Sequence, residues 1–547
     1  MPTGGIWISS QNQVKQLDFR GTVNYNKVWN DTHIFNALAG FEANRADYES
    51  SRNQVYGMDY DRGRLVTVTP AFYKQAKEEG TTLYSRSRAW NRRLAWMANL
   101  NYSYKGRYQL NLTGRYDGTN QLGKATSARW LPTWNVSSSW NAHEEDFFKA
   151  MMEKNNQLWS HATLRLSYSL TGEQTNASNA YPIYYPTIIW RPQSDQQETG
   201  LGLSQLGNSD LTFEKKYEFN LGIDLGFFNN RLNIVSDFYW RRNHDLMGYM
   251  NTNGYGGELR KFANVAEMKS HGMELTISSR NLKTKDWQWS TDLTFSYTKT
   301  EITDLLSTSR VIDLVRTGGF ARVGYDHRAL FSIPFVGLND EGIPQIINEE
   351  GKVTTSDINF QEHDNLNFLV YEGPTEPKYT GGLNNAISWK NWRLNIFFTY
   401  SFGNKIRLDP VFSYAYSDQD AMPKEFKNRW VVPGDENRTS IPAIASIAQY
   451  YSDRYLSYAY NSYNYSTARV ANGDFIRLKD ISLTYDFEPR LISKLGLSSA
   501  SLKLDATNLW LVYSDKKLNG QDPEFVNSGG VAQPLCKQFT LTVRLGI

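Results

Sequence analysis

The sequence predicts an all-β protein: the wall of an antiparallel transmembrane β-barrel of about fifteen strands, with short periplasmic turns and long external loops. Three observations carry this expectation. Apolar and polar residues alternate with a period of two along most of the chain. The alternating runs are about 11–13 residues long, roughly twice the usual strand of a soluble protein. The connections between them alternate between short and long.

The alternation is clearest in three segments. Residues 213–225 place Phe213, Lys215, Tyr217, Phe219, Leu221, Ile223 and Leu225 on one face and Glu214, Lys216, Glu218, Asn220, Gly222 and Asp224 on the other. Residues 107–117 set Tyr108, Leu110, Leu112 and Tyr116 against Gln109, Asn111, Thr113, Arg115 and Asp117. Residues 391–402 set Trp392, Leu394, Ile396, Phe398, Tyr400 and Phe402 against Asn391, Arg393 and Asn395. An apolar face that ends in aromatics suits a strand crossing lipid, and mid-strand charges on the other face suit a wet lumen. A soluble sandwich would use shorter strands and cover its apolar face with a second sheet.

Strands are expected near 17–29, 32–44, 93–104, 107–118, 129–140, 160–171, 213–225, 231–242, 269–280, 287–300, 379–389, 391–402, 474–487, 500–513 and 537–547. Asn30-Asp31, Lys105-Gly106, Phe228-Asn229-Asn230 and Lys390 supply hairpin-turn chemistry between them. Long connections are expected over 45–92, 172–212, 243–268, 301–378, 403–473 and 514–536. Two medium connections hold helix-like stretches, Glu145–Met152 and Arg490–Leu495. Strict alternation of strand direction puts both on the periplasmic rim.

Composition narrows the function. The 547 residues include 27 Phe, 34 Tyr and 16 Trp, and the net charge is only +3, which gives no electrostatic case for nucleic acid or acidic lipid. The single cysteine, Cys536, excludes an internal disulfide and a cysteine zinc cluster. Seven scattered histidines without H-E-x-x-H speak against a zinc hydrolase. No run approaches the roughly 20 apolar residues of a spanning helix. Gly118-x-x-x-x-Gly123-Lys124-Ala125 nearly spells a phosphate loop, but it lacks the Ser/Thr after Lys and leads into a strand, so a tight interstrand loop is expected. Asn176-Ala-Ser178 and Asn437-Arg-Thr439 match a glycosylation sequon too short to carry weight. His143-Glu144-Glu145-Asp146 reads as a charged helix start rather than a metal site. No catalytic constellation emerges, so the chain is expected to be no enzyme and to need no cofactor or metal.

Several segments resemble, in order, the SusC/RagA-type TonB-linked outer-membrane transporters. They are the stretch from Asn208 through Phe213-Glu-Lys-Lys-Tyr217 to Leu232, and Pro377-Lys-Tyr-Thr-Gly-Gly-Leu383 with Trp389-Lys-Asn-Trp392. Others are Asn428-Arg-Trp430, Gly473-Asp-Phe-Ile-Arg-Leu-Lys-Asp-Ile-Ser-Leu483, Asn508-Leu509, Asp522-Pro-Glu524, and Tyr116-Asp-Gly118 leading to Arg129-Trp130. The resemblance spans about residues 90–547 and implies the C-terminal part of a receptor barrel that imports oligosaccharides or peptides. It further implies a SusD-like surface lipoprotein as a hinged lid, and TonB acting through an N-terminal plug. No plug-like region precedes the first strand. Residues 1–16 are therefore expected as an external loop remnant ahead of a barrel over 17–547. A passive porin-like channel and a non-transporting surface or assembly component are the alternatives.

Two long loops are crowded with aromatics. Tyr181, Tyr184, Tyr185 and Trp190 lie in one, and Tyr451, Tyr455, Tyr463 and Tyr465 in another, with Tyr450, Tyr458 and Tyr460 among them. These are the candidate substrate-binding residues, as stacking platforms for sugar rings or peptide side chains. The competing readings are a small core of the loop itself, an interface girdle, or contact with the lid lipoprotein.

Three topological expectations follow. The apolar phase slips between Leu478 and Ile481, which predicts a β-bulge, or a switch from wall to loop extension, near Lys479–Asp480, and the same slip occurs at Asn508–Leu509. Segment 301–378 should contribute no wall strand and pack over or into the lumen. Fifteen strands ending at the periplasm leave an odd number wanting, about seven against the 22 of plugged transporters. On that count the chain is a truncated reading frame or one part of a split transporter, unable to seal or import alone.

Overall fold

A computed structural model of the chain describes residues 4–65, 68–123, 126–154, 158–173, 181–191, 196–254, 259–410, 424–526, 534 and 536–547. Fifteen long strands follow one another in a single antiparallel sheet, each paired with its neighbours in sequence. They are β1 (Gly5–Trp29), β2 (His33–Asp59), β3 (Tyr84–Tyr104), β4 (Tyr108–Thr119), β5 (Trp130–Asn141), β6 (Trp159–Glu173), β7 (Glu214–Phe227) and β8 (Leu232–Asn251). Then come β9 (Arg260–Lys283), β10 (Trp287–Leu305), β11 (Tyr379–Trp389), β12 (Trp392–Phe402), β13 (Phe475–Asp486), β14 (Ser499–Ser514) and β15 (Gln538–Gly546). Every expected strand is present. β1 and β15 are the two edges of this sheet.

The outer face of the wall carries its own ruler. Trp287, Trp389, Trp392 and Tyr485 lie in one register row across β10–β13, with ring centroids of Trp287 and Trp389 5.6 Å apart and of Trp392 and Tyr485 4.7 Å apart. Ten residues along the same strands, Tyr297, Tyr379 and Phe402 form a second row. Ten residues span about 33 Å along a strand, and a tilt of about 40° reduces that to about 25 Å, the height of the apolar band of outer-membrane barrels. Between the girdles the row Leu293–Leu383–Phe398–Leu478 is wholly apolar.

Beyond the outer girdle several strands run on. Residues 5–16 are not a loop remnant but the upper part of β1, paired with β2 residue for residue from Ile6. Segments 45–92 and 243–268 are likewise partly strand, since β2 reaches Asp59, β3 starts at Tyr84, β8 reaches Asn251 and β9 starts at Arg260. Above the lipid, polar residues such as Arg45, Asp47 and Glu49 replace the apolar ones on the outward face. The hydrophobic period vanishes while the hydrogen-bonded ladder continues, and this is why the extension is invisible to pattern.

Both bulges are present. Lys479 has no partner position: Phe397 faces Asp480 and Phe398 faces Leu478 across β12, while across β14 Leu478 faces Trp510 and Asp480 faces Thr507. Asn508, with φ of 55°, and Leu509 are the extra residues of β14. The slip keeps Ile476 and Leu478 on the lipid side together with Ile481, Leu483 and Tyr485, and leaves Asp480 in line with the inward Ser482.

The periplasmic rim is built from tight turns with left-handed residues, among them Asn30, Asp31, Lys105, Phe228, Asn229, Asn230 and Lys390. Its medium connections are helical over Asp146–Lys154 and, after β13, over Pro489–Ile492 and Ser493–Leu495. The acidic run before the first helix is a clamp: Arg107 of the neighbouring turn donates to Glu145 and Asp146, both at 2.8 Å, and Lys149 holds Glu144 at 2.8 Å.

At the other rim, residues 306–378, 403–410 and 424–474 fold together as an external cap. As expected, 301–378 adds no strand to the wall beyond the upper end of β10. Its short strands form two separate small sheets, Ala329–Ser332 with Val370–Pro374, and Phe335–Leu338 with Pro344–Ile347 and Val353–Thr354. The cap core gathers Val311, Leu314, Phe331, Ile333 and Ile346, all essentially inaccessible to water. Arg407 ties its parts together. This side chain is 2% exposed and donates to the carbonyls of Val315 (3.2 Å), Ser466 (2.8 Å) and Phe331 (2.6 Å) and to Ser332 Oγ (3.1 Å). Burial pulls its guanidinium down to about 10, leaving it charged at neutral pH. Arg477, at the top of β13, pairs with Asp522 at 2.5 Å and Glu524 at 2.8 Å, fastening the last long connection to the wall.

Two outcomes are expected. Leu383→Arg, at mid-band on the lipid face, should cost about 2–4 kcal/mol in a bilayer. Ser388→Arg, which faces a polar lumen cavity, should cost little. Guanidinium unfolding of the vesicle-inserted protein reads both. Arg407→Ala leaves three carbonyls without their donor and should destabilise the cap by about 3–5 kcal/mol. Limited proteolysis should then cut within 306–378 or 403–474 while the wall stays resistant.

Candidate functional site

The inner faces of β2–β6 enclose a cavity of about 590 Å³. Period-two geometry brings Glu42 and Asn44 from β2, Asn91 and Arg93 from β3, Arg115 and Asp117 from β4, Thr133 from β5 and Glu173 from β6 to the same side. Arg115 is the hub. Its Nη2 lies 2.7 Å from Glu42 and its Nε 2.7 Å from Asp117, and Glu42 also takes Arg20 of β1 at 3.3 Å. Lower in the lumen a second cavity of about 320 Å³ is lined by amides and hydroxyls, including Asn101, Gln109, Asn111, Asn135 and Ser137. Its one cation, Arg165, is held by Asp224 at 2.8 Å and Asp237 at 3.1 Å. Such a lining offers donors and acceptors at many heights. It suits a polar solute passing along the wall and presents no activated nucleophile.

The aromatic candidates divide. The connection after β6 carries a hairpin, Ile183–Arg191 with Gln196–Gln205, standing apart from the wall sheet. Tyr181, just before the hairpin, and Tyr184 and Tyr185 within it are all exposed, and the ring of Tyr185 covers Gly202. Trp190 stands opposite Gln197 in the same hairpin, and its side chain lies outside the described residues. In the cap, Tyr451 and Tyr455 are exposed beside two short helices, Ile447–Ser452 and Leu456–Asn464. Tyr463 is not available as a platform, and Tyr465 is half-buried. Tyr463 is 1% exposed, packed on Phe426 and Phe335, and burial pushes its hydroxyl up to about 12. Tyr465 packs against the main cap core, edge-on to Phe360. Their pattern is that of a loop with its own core, one of the competing readings of the sequence.

The phosphate-loop lookalike is a structural tie. Leu122 is buried with Leu131, Leu211 and Phe213, and Gly123 donates its N–H to Leu211 at 2.9 Å. A Cβ at Gly123 would strike the Ser209 carbonyl. A one-turn helix, Thr126–Arg129, precedes β5 where the sequence suggested a direct strand. Lys124, Ala125 and the sequon at 176–178 lie outside the described residues. Glu362, His363 and Asp364 converge on the cap surface, but the Glu362 carboxylate already accepts the N–H groups of His363, Asp364 and Asn365, so it closes a turn.

The ion network centred on Arg115 was not among the sequence candidates. Arg115 and Asp117 stood out as polar-face residues, but only the register pairs them with Glu42, two strands away.

A family model described as TonB dependent receptor-like, beta-barrel, matches residues 4–509. TonB-dependent receptor P39 of Formosa agariphila is 25% identical over 93% of this chain and 50% of its own length. TonB-dependent receptor SusC of Bacteroides thetaiotaomicron is 24% identical over 84% of this chain and 44% of its own. The chain thus spans about half the length of the curated relatives it matches. The RagAB peptide transporter shares the fold, with a TM-score of 0.78 at 22% identity over 99% of this chain and 56% of that one. With its girdled, lumen-lining sheet of fifteen strands, the chain belongs to the TonB-dependent receptor-like β-barrel family of the outer membrane.

Proposed function

We propose that this chain forms the wall and external cap of a nutrient importer for oligosaccharides or peptides. The observation that carries the reading is the charged, amide-rich inner face of β2–β6, which lies on the lumen side of a wall whose other side is apolar. A ligand captured on the external side would exchange water for the fixed donors and acceptors of the two cavities and then descend along them. The family is one of receptors, and the role is carriage rather than catalysis. Exposed Tyr184, Tyr185, Tyr451 and Tyr455 are suited to hold a ligand or to meet a SusD-like surface lipoprotein acting as a lid, since Tyr serves both tasks. Energy would come from TonB through a plug domain. Both edge strands present unpaired backbone groups, each costing several kcal/mol in lipid, so in the membrane each free edge of β1 and β15 requires a partner strand.

The test is uptake of labelled oligopeptides and oligosaccharides by cells producing the receptor, with and without a protonophore. One ligand class should enter saturably and only in energised cells. Arg115→Met removes a charge-assisted hub worth about 1.5–3 kcal/mol and should lower apparent affinity at least about tenfold. Flux that rises linearly with concentration and ignores the protonophore would show a passive channel instead.

A further inference from the structure

The outward surface of β1–β5 carries two features that the transport path does not use. The first is a belt of cations directly above the outer girdle. Arg92, Arg88 and Arg86 of β3 follow Trp96 and Leu94 on the lipid side, flanked in register by Arg45 of β2 and Lys15 of β1. Among the described residues two carboxylates share this surface: Asp47, paired with Arg45 and Arg92, and Glu49, paired with Arg86 and Arg88. Five cations against two anions leave an excess of positive charge at the headgroup level. On the β7–β10 arc Lys215 and Lys269 each meet one carboxylate, Asp245 at 2.7 Å and Glu301 at 2.8 Å.

The second feature is a lipid-facing groove of about 690 Å³ below the belt. Its floor is the register row Ala39–Ala98–Gly114, flanked by Val23 and Trp134. The next row up, Phe41, Trp96 and Tyr116, forms an aromatic lip, with Phe41 and Trp96 rings 4.6 Å apart. From Ala98 to Arg92 is six residues, about 20 Å along the strand and about 15 Å along the membrane normal, half the thickness of a bilayer core. Groove and belt are therefore spaced as the chain ends and the headgroup of one lipid of the outer leaflet.

We propose that this face binds a phosphorylated glycolipid of the outer leaflet, with an acyl chain in the Ala39–Ala98–Gly114 groove and its phosphate on the Arg45, Arg86, Arg88 and Arg92 belt. Arginine suits the task because its planar donors match phosphate oxygens. A second copy of the chain is a poorer occupant, because a two-fold axis along the membrane normal would set belt against belt.

Native mass spectrometry of the detergent-purified protein tests this with monophosphorylated lipid A as the probe. The protein should retain it at least about tenfold better than the same lipid after dephosphorylation. The triple variant R45Q/R86Q/R88Q should lose that preference. Ala98→Leu, which fills the groove, should weaken retention of the acylated lipid, and Lys269→Gln on the other arc should change nothing. Heat-modifiable migration confirms that each variant is folded. Equal retention of the phosphorylated and dephosphorylated lipids by the unaltered protein would overturn the proposal. So would displacement of the lipid by millimolar inorganic phosphate, or a dimer that Ala98→Leu dissociates.

Discussion

Everything in this molecule follows from one constraint: inside lipid, no backbone amide or carbonyl can go unpaired. A sheet meets it only where each strand finds neighbours on both sides, and the plain meander achieves this for β2–β14 with the least chain. Once the ladder is fixed, side chains must alternate between lipid and lumen, because successive residues point to opposite faces. The girdles ten residues apart, the apolar rows between them and the polar cavities inside are consequences of that alternation at a given membrane thickness. The bulge at Lys479 shows how strictly it holds. There the chain gives up one ladder position so that Ile481 and Leu483 keep facing lipid after Leu478.

Outside the bilayer the constraint relaxes and different physics takes over. Water can satisfy free backbone groups, so strands may stop or continue. Long connections then need cores of their own, and the cap builds one from Val311, Leu314, Phe331 and Ile346. Its segments are far apart in sequence and are joined by buried charge. Arg407 satisfies carbonyls from three of them, and Arg469 pairs with Glu425 at 2.5 Å while donating to the carbonyl of Asp409. Pairing Arg477 with Asp522 and Glu524 joins the cap side of β13 to the last connection. Two of the motifs that carry the family resemblance, the stretch from Gly473 and Asp522-Pro-Glu524, thus meet as an ion pair.

The wall was legible in the sequence because a two-residue apolar period is imposed by lipid and survives without any tertiary knowledge. All fifteen strands and both phase slips could be placed from it. What lay above the lipid could not. Residues 9–16 and 45–53 are polar on the outward face, so nothing in their pattern distinguishes a paired strand from a loop. The aromatic loops misled in part for a related reason. A Tyr-rich run looks alike whether its rings face solvent, as at Tyr451 and Tyr455, or a small core, as at Tyr463 and Tyr465. The Arg115 network escaped because pairwise register, not composition, decides which charges meet.

A cysteine scan of residues 475–486 in a Cys536→Ser background reads the alternation through the bulge of β13 position by position. Each position would be read by quenching from brominated lipid and by labelling with a membrane-impermeant thiol reagent. Lipid contact should fall on 476 and 478, then shift phase to 481, 483 and 485, with water access at 480, 482 and 484. An unbroken every-second-residue pattern through 479, or lipid contact at 480, would contradict it.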